Sequence, residues 1–225
     1  MKADHRAIAR AYLDPARPFD RYLYYYAAGK LASDPVYRGA LQALADADGP
    51  LLDVGCGIGL LLHALRGHGD DRRYLGIDLD AAKIAQASRA RDRAGWRDAR
   101  FEAGDIATAL PERHRGSVAI LDVLQYLDPD AQAAVIDACA RMLVPHGRMV
   151  IRSGLREQGA RSQVTRMADF LAHRIGWMKA TPMHFPTRDG FESRFHALGL
   201  RATLEPLHGR TPFNNWLVVA ERAGP

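Results

Sequence analysis

Leu51-Leu-Asp-Val-Gly-Cys-Gly-Ile-Gly59 is a short apolar run ending in an acid, followed by glycine at every second position. The apolar part reads as a buried strand. Gly55, Gly57 and Gly59 have no Cβ, so the chain can turn sharply into a helix, pass within van der Waals contact of a ligand and leave the helix's first amides open. Asp53 sits at the strand's C-terminal end, where open α/β sheets place their ligands, and can accept a hydrogen bond from a bound cation. A tight strand-to-helix turn with no ligand would use the same glycines.

The chain downstream repeats the pattern. Arg73 to Asp80 reads as a second strand, with Asp78 at its carboxyl end about 25 residues after Asp53, the length of one βαβ unit. An acid there can accept both hydroxyls of a ribose. Ala99 to Ile106 reads as a third strand running into Gly-Asp, and Ser117 to Asp122 as a fourth. Asp78, Asp105 and Asp122 then line one edge of one sheet.

Over residues 45 to 152 this series resembles the class I S-adenosylmethionine-dependent methyltransferases. Leu51 to Gly59, including Asp53, Gly55, Cys56, Gly57 and Gly59, is similar to the family's first motif, whose backbone wraps the methionine part of the cofactor. The resemblance implies that Asp78 binds the ribose and Leu79 lies beside the adenine. It implies that Asp105 takes the adenine amino group while the Ile106 amide meets the ring. Leu121 to Leu127 is similar to the segment after strand four, with Gln125-Tyr126 where Glu-His or Glu-Tyr is usual. Leu143 to Arg152 resembles the following turn and fifth strand, with His146 in place of the first glycine of Pro-Gly-Gly.

A nicotinamide-dependent dehydrogenase shares the glycine loop and the second acid, but its Gly-x-Gly-x-x-Gly fingerprint would need glycine at position 60, which is Leu60. Tyr26 and Lys30 spell a Tyr-x-x-x-Lys pair, although upstream of the glycine loop, whereas short-chain dehydrogenases carry it far downstream.

The 225 residues suit one α/β domain, and 48% hydrophobic with 25% charged residues is ordinary globular composition. Two cysteines, Cys56 and Cys139, outside any Cys-x-x-Cys or Cys/His cluster, read as reduced thiols and give no structural metal. The first residues lack an apolar signal region, and no run approaches a membrane span, so a cytoplasmic protein is expected. The net charge of +5 comes from 27 arginines and four lysines spread along the chain. The local excess, Arg152 to Lys179, reads either as a solvated helix face or as an approach surface for an anion such as a phosphopantetheine, a coenzyme A ester or a phosphate backbone.

Two flanking segments are expected to choose the substrate. In residues 1 to 48, Tyr22, Tyr25 and Tyr26 recur at helical spacing, a stripe read first as packing, with Tyr26 as a lid contact to the cofactor. Asp34-Pro35 ends one helix and starts the next. In residues 153 to 190, Ser162 to Met178 has a helical apolar period, Thr181 to Thr187 reads as a loop, and Asp189 to Leu198 as a helix ending at Gly199. Leu200 to Leu207 and Phe213 to Glu221 read as final antiparallel strands joined through His208 to Pro212. Candidate catalytic groups are Asp122, Tyr126 and His184. Asp122 also has the alternative role of capping the next helix, and His184 that of a solvated loop residue.

The expected fold is α/β, a Rossmann-like seven-stranded sheet flanked by helices, with an N-terminal helical lid and a helical insertion after strand five. The expected organisation is one domain: lid 1–48, cofactor-binding core 49–152, substrate cap 153–190, and C-terminal helix and hairpin 191–225. The expected activity is methyl transfer from S-adenosylmethionine, leaving S-adenosylhomocysteine, to a hydrophobic or aromatic small molecule of secondary metabolism, free or bound to a carrier protein or coenzyme A. An RNA or protein methyltransferase using the 152–179 segment, an NAD-dependent oxidoreductase, and a cofactor-binding protein without turnover are the alternatives.

Overall fold

The computed structural model describes residues 4–16, 21–156, 184–207 and 214–222. Its centre is a seven-stranded sheet: β1 (Leu51–Val54), β2 (Tyr74–Asp78), β3 (Ala99–Ala103), β4 (Ser117–Leu121), β5 (Arg148–Gly154), β6 (Leu200–Pro206) and β7 (Asn215–Arg222). The order across the sheet is β3-β2-β1-β4-β5-β7-β6. β1 to β5 run parallel, and β7 is antiparallel to both β5 and β6. Every residue of β1 is buried, as expected for a parallel strand covered on both faces. Exposed residues recur along the edge strand β6.

The helices are α1 (His5–Ala9), α2 (Tyr22–Ser33), α3 (Pro35–Leu44), α4 (Leu60–Gly67), α5 (Ala81–Ala94), α6 (Pro129–Met142) and α7 (Arg188–Ala197). Their starts follow from local chemistry: Asp34, Asp80, Asp128 and Thr187 each accept a backbone N–H of the helix they precede. Pro35 and Pro129 occupy first-turn positions, where no amide donor is needed.

Neighbouring β1 residues face opposite ways. Leu52 and Val54 join Ile120, Ile136, Met149 and Phe195 in one core. Leu51 joins Leu44, Leu62, Tyr74 and Phe101 in the other. A third cluster seats the N-terminal segment on the α4 face through Tyr12, Ala27, Leu31, Ile58 and Leu60. The Tyr12 hydroxyl donates to the Ile58 carbonyl at 2.9 Å, fastening that segment to the glycine loop.

The expected α/β sheet is present with small shifts of boundary. α7 begins at Arg188, and β7 runs from Asn215 to Arg222. The expected helix at Ser162 to Met178, the start of the Thr181 to Thr187 loop, and the His208 to Pro212 connection lie outside the described residues. The tyrosine stripe departs from its packing expectation: Tyr22 and Tyr25 are 56% and 63% exposed, and α2 instead buries Ala27 and Leu31.

Candidate active site

The strand order reverses between β1 and β4, so the carboxyl ends of these strands flank a crevice. A cavity of about 580 Å³ opens there. Its walls include Asp53, Gly55, Cys56, Gly57, Asp78 and Leu79, then Asp105, Ile106, Leu121, Asp122 and Tyr126, with Tyr26 from α2.

The loop glycines do different jobs. A Cβ on Gly59 would lie 2.6 Å from Phe101 Cζ, and one on Gly55 would lie 2.2 Å from Val123 Cγ2. Those two positions are fixed by packing, and Gly59 does not line the cavity. At Gly57, with φ +56°, nothing stands within 4 Å of a Cβ, so bare backbone faces the open cavity. The Gly55 and Cys56 amides both donate to the Ile77 carbonyl, at 2.7 and 3.0 Å, holding the loop against β2.

The acids are oriented by the backbone around them. Asp78 accepts from the Gly57 amide through Oδ2 at 2.8 Å and from the Asp80 amide through Oδ1 at 2.9 Å. Each carboxylate oxygen keeps a lone pair for a further donor. Asp53 is 2% exposed and accepts the Tyr74 hydroxyl. Burial pushes its carboxyl up to about 7, against the Tyr74 hydrogen bond, which lowers it, and with the help of Asp78. Asp105 accepts its own turn's Ala107 amide at 2.9 Å, beside buried Ile106, and Leu79 stands 69% exposed at the rim.

At the opposite end, Asp122 has φ +62°, a left-handed conformation uncommon for a residue with a side chain. Its carboxylate pairs with the Arg152 guanidinium, and it caps no helix: the 3-10 turn Leu124–Tyr126 has Val123 at its N-cap with no side-chain bond. Gln132 braces this turn, its amide donating to the Leu124 and Leu127 carbonyls at 2.9 and 3.1 Å.

His184 is not brought to the cavity. Its side chain is exposed, while its backbone is pinned by donation to the Gln125 carbonyl and by acceptance from Gln132 at 2.6 Å. Arg152 also departs from its reading as part of a basic surface. It lies on β5, 5% exposed, with Asp122 beside it and Asp34 at 3.6 Å. Of the remaining basic segment, Arg156 is exposed and residues 157–183 lie outside the described residues.

The cavity residues that the sequence did not single out for this site include Lys30, Val36, Tyr37 and Lys83. Tyr26 and Lys30 are one helical turn apart, so the spacing that suggested a dehydrogenase pair instead places both on one face. Lys30 donates to Asp34 at 2.9 Å, and its ammonium stays charged because Asp34 and Asp122 outweigh its desolvation. Nothing local in the sequence marks Tyr37. Among the described residues no group of three or more His, Cys, Asp or Glu could hold a metal, and no helix is long and apolar enough to cross a membrane.

The donor set fits S-adenosylmethionine. The open Gly57 backbone leaves room for a methionine chain, the two-oxygen Asp78 acceptor suits a ribose diol, and Leu79 and Ile106 offer apolar faces to a base. These features would suit a nucleoside cofactor at the switch point of a Rossmann-like sheet. A family described as "Methyltransferase domain" matches residues 51–147. A ubiquinone biosynthesis O-methyltransferase of Psychrobacter arcticus is 33% identical over 103 residues, covering 45% of this chain and 39% of that protein. The chain thus spans well under half the length of this curated relative.

Among solved structures, an O-methyltransferase family protein from Burkholderia thailandensis superposes with a TM-score of 0.67 at 18% identity, covering 99% of this chain and 64% of the other. A S-adenosylmethionine-dependent methyltransferase from Clostridium acetobutylicum gives 0.66 at 12% identity, covering 93% and 98%. Residues 51–147 are thus similar to a methyltransferase domain, and the sheet as a whole has the fold of solved methyltransferases.

Proposed function

We propose that the chain transfers the methyl group of S-adenosylmethionine to a hydroxyl oxygen of a hydrophobic or aromatic small molecule, free or carrier-bound. The observation that carries this reading is the gathering of Asp53, Gly57, Asp78, Ile106, Asp122 and three tyrosines, Tyr26, Tyr37 and Tyr126, around one cavity. When bound, the cofactor supplies a methyl group made electrophilic by its sulfonium. Asp53 and the glycine loop would hold its methionine part, Asp78 its ribose, and Leu79, Asp105 and Ile106 its adenine.

Tyr26, Tyr37 and Tyr126 then form the wall on which an aromatic acceptor would stack. Asp122 is the carboxylate at that end and would accept the acceptor's hydroxyl hydrogen. On transfer the O–CH3 bond would replace the S–CH3 bond, the hydroxyl proton would pass to the Asp122 carboxylate and on to solvent, and S-adenosylhomocysteine would be the product. Holding two reactants in line contributes roughly 7 to 11 kcal/mol, so alignment outweighs any single base. The similarity to an O-methyltransferase of ubiquinone biosynthesis supports oxygen as the accepting atom.

The test is incubation with methyl-labelled S-adenosylmethionine and panels of catechols, phenols and aliphatic alcohols, alongside bulk RNA and protein. Label in an O-methylated aromatic product is expected. Label only in RNA or protein would overturn the small-molecule reading.

A further inference from the structure

We propose that Arg152 is a positioning residue: through Asp122 it holds a carboxylate toward the sulfonium of bound S-adenosylmethionine, and through Asp34 it anchors the α2–α3 junction to the same point. The inference rests on the cofactor reading above and names what β5 adds to that site.

Arg152 does not itself line the cavity, whereas Asp122 and Lys30 do. Its Nη1 meets Asp122 Oδ2 and lies 3.6 Å from Asp34 Oδ2. Asp34 in turn accepts Lys30 Nζ at 2.9 Å and caps α3 by accepting the Val36 amide at 3.1 Å. Two carboxylates from distant parts of the chain therefore converge on one guanidinium nitrogen. Among the described residues the buried Arg152 Nε has no hydrogen-bond partner, so these two acids hold the group in place. A buried cation so placed is costly unless its partners stay put.

Asp122 is tied to Arg152 a second time, its amide donating to the Arg152 carbonyl at 2.9 Å. These two ties hold Asp122 at φ +62°. The Arg152 side chain is 6% exposed and that of Asp122 36%, on the cavity side. The other cavity acids are oriented by uncharged donors: Asp53 by the Tyr74 hydroxyl, and Asp78, Asp80 and Asp105 by backbone amides. With ribose on Asp78 and adenine toward Ile106, the sulfonium end of the cofactor would be left for the β4 side of the cavity, which Asp122 lines.

The readout is the ratio of S-adenosylmethionine to S-adenosylhomocysteine affinity, since the two ligands differ by one methyl and one positive charge. Both are titrated calorimetrically into the wild-type chain, Arg152→Lys, Asp122→Asn and the double variant. Asp122→Asn is expected to lower the ratio by about tenfold, the size of one partly screened charge contact. Arg152→Lys preserves charge and alters only geometry. It is expected to lower the ratio in the same direction and to add nothing in the Asp122→Asn background.

If circular dichroism shows Arg152→Lys unfolded, Asp34→Asn takes its place, because Asn keeps the helix cap while releasing the guanidinium. Its shift in the ratio should likewise vanish with Asp122→Asn. Equal weakening of both ligands, or a ratio change that persists without the Asp122 carboxylate, would overturn the positioning role. A wild-type chain that binds neither ligand would overturn the cofactor reading beneath it.

Discussion

The Gly57 amide donates to Asp78 Oδ2 at 2.8 Å, so the glycine loop after β1 and the acid at the end of β2 are one hydrogen-bonded unit. The loop is held by the same carboxylate that, in the proposed function, would meet the ribose.

Gly57 and Gly59 should therefore separate binding from stability. Gly57→Ala places a methyl in open cavity at φ +56°, and is expected to cost about 1 kcal/mol of stability while weakening S-adenosylhomocysteine at least tenfold. Gly59→Ala drives Cβ to 2.6 Å from Phe101 at φ +79°, and should cost roughly 2 to 4 kcal/mol. Urea unfolding and ligand titration of both variants check this, and equal binding losses would contradict the division of roles.

Asp53 should make cofactor affinity depend on pH. With its carboxyl raised to about 7, it would have to ionise near neutrality in order to pair, as proposed, with the cofactor's ammonium. Affinity is expected to rise from pH 6 to pH 8, with proton release visible as buffer-dependent binding heat. Tyr74→Phe removes the hydrogen bond that holds this value down, and should move the midpoint higher.

His63 should set an acid limit to stability. Its ring lies 4.9 Å from Tyr12 and 4.5 Å from Trp96, is fully buried, and among the described residues has no hydrogen-bond partner on either nitrogen. Burial lowers its pKa from 6.5 to about 3. The unfolded chain thus binds the extra proton between these values, and the stability contributed by neutral His63 is lost as pH falls through that window. His63→Leu should be more stable than wild type, with the gap widening from pH 7 to pH 5 in denaturant titrations. A constant gap would contradict this. Asp53 acts with the opposite sign, since a carboxyl raised in the fold favours the folded state at low pH and loses that contribution as pH rises through about 7.

The core and the cavity edge of its sheet were legible because their signals are local. A strand, an acid and a glycine turn lie within nine residues at Leu51 to Gly59, and the spacing to Asp78 is set by the length of one βαβ unit. Arg152 was not legible, because its partners Asp34 and Asp122 come from elements far apart in sequence that meet only when β5 docks beside β4. The tyrosines of α2 misled for a related reason. Helical spacing identifies a shared face, and only the packing of α2 on the α4 side decides that Ala27 and Leu31 are the ones buried. His146 shows the limit of a motif: it adopts φ +59° where the resembling family has glycine, at an exposed turn that tolerates it.

The most direct measurement is calorimetric titration of the wild-type chain and Asp78→Ala with S-adenosylmethionine, S-adenosylhomocysteine and NAD. Micromolar binding of both sulfur ligands, none of NAD, and loss of at least 100-fold in the variant are expected, since the ribose diol and the Gly57 amide both depend on that carboxylate. Binding of NAD alone, or sulfur-ligand binding indifferent to Asp78→Ala, would contradict the assignment of the cavity.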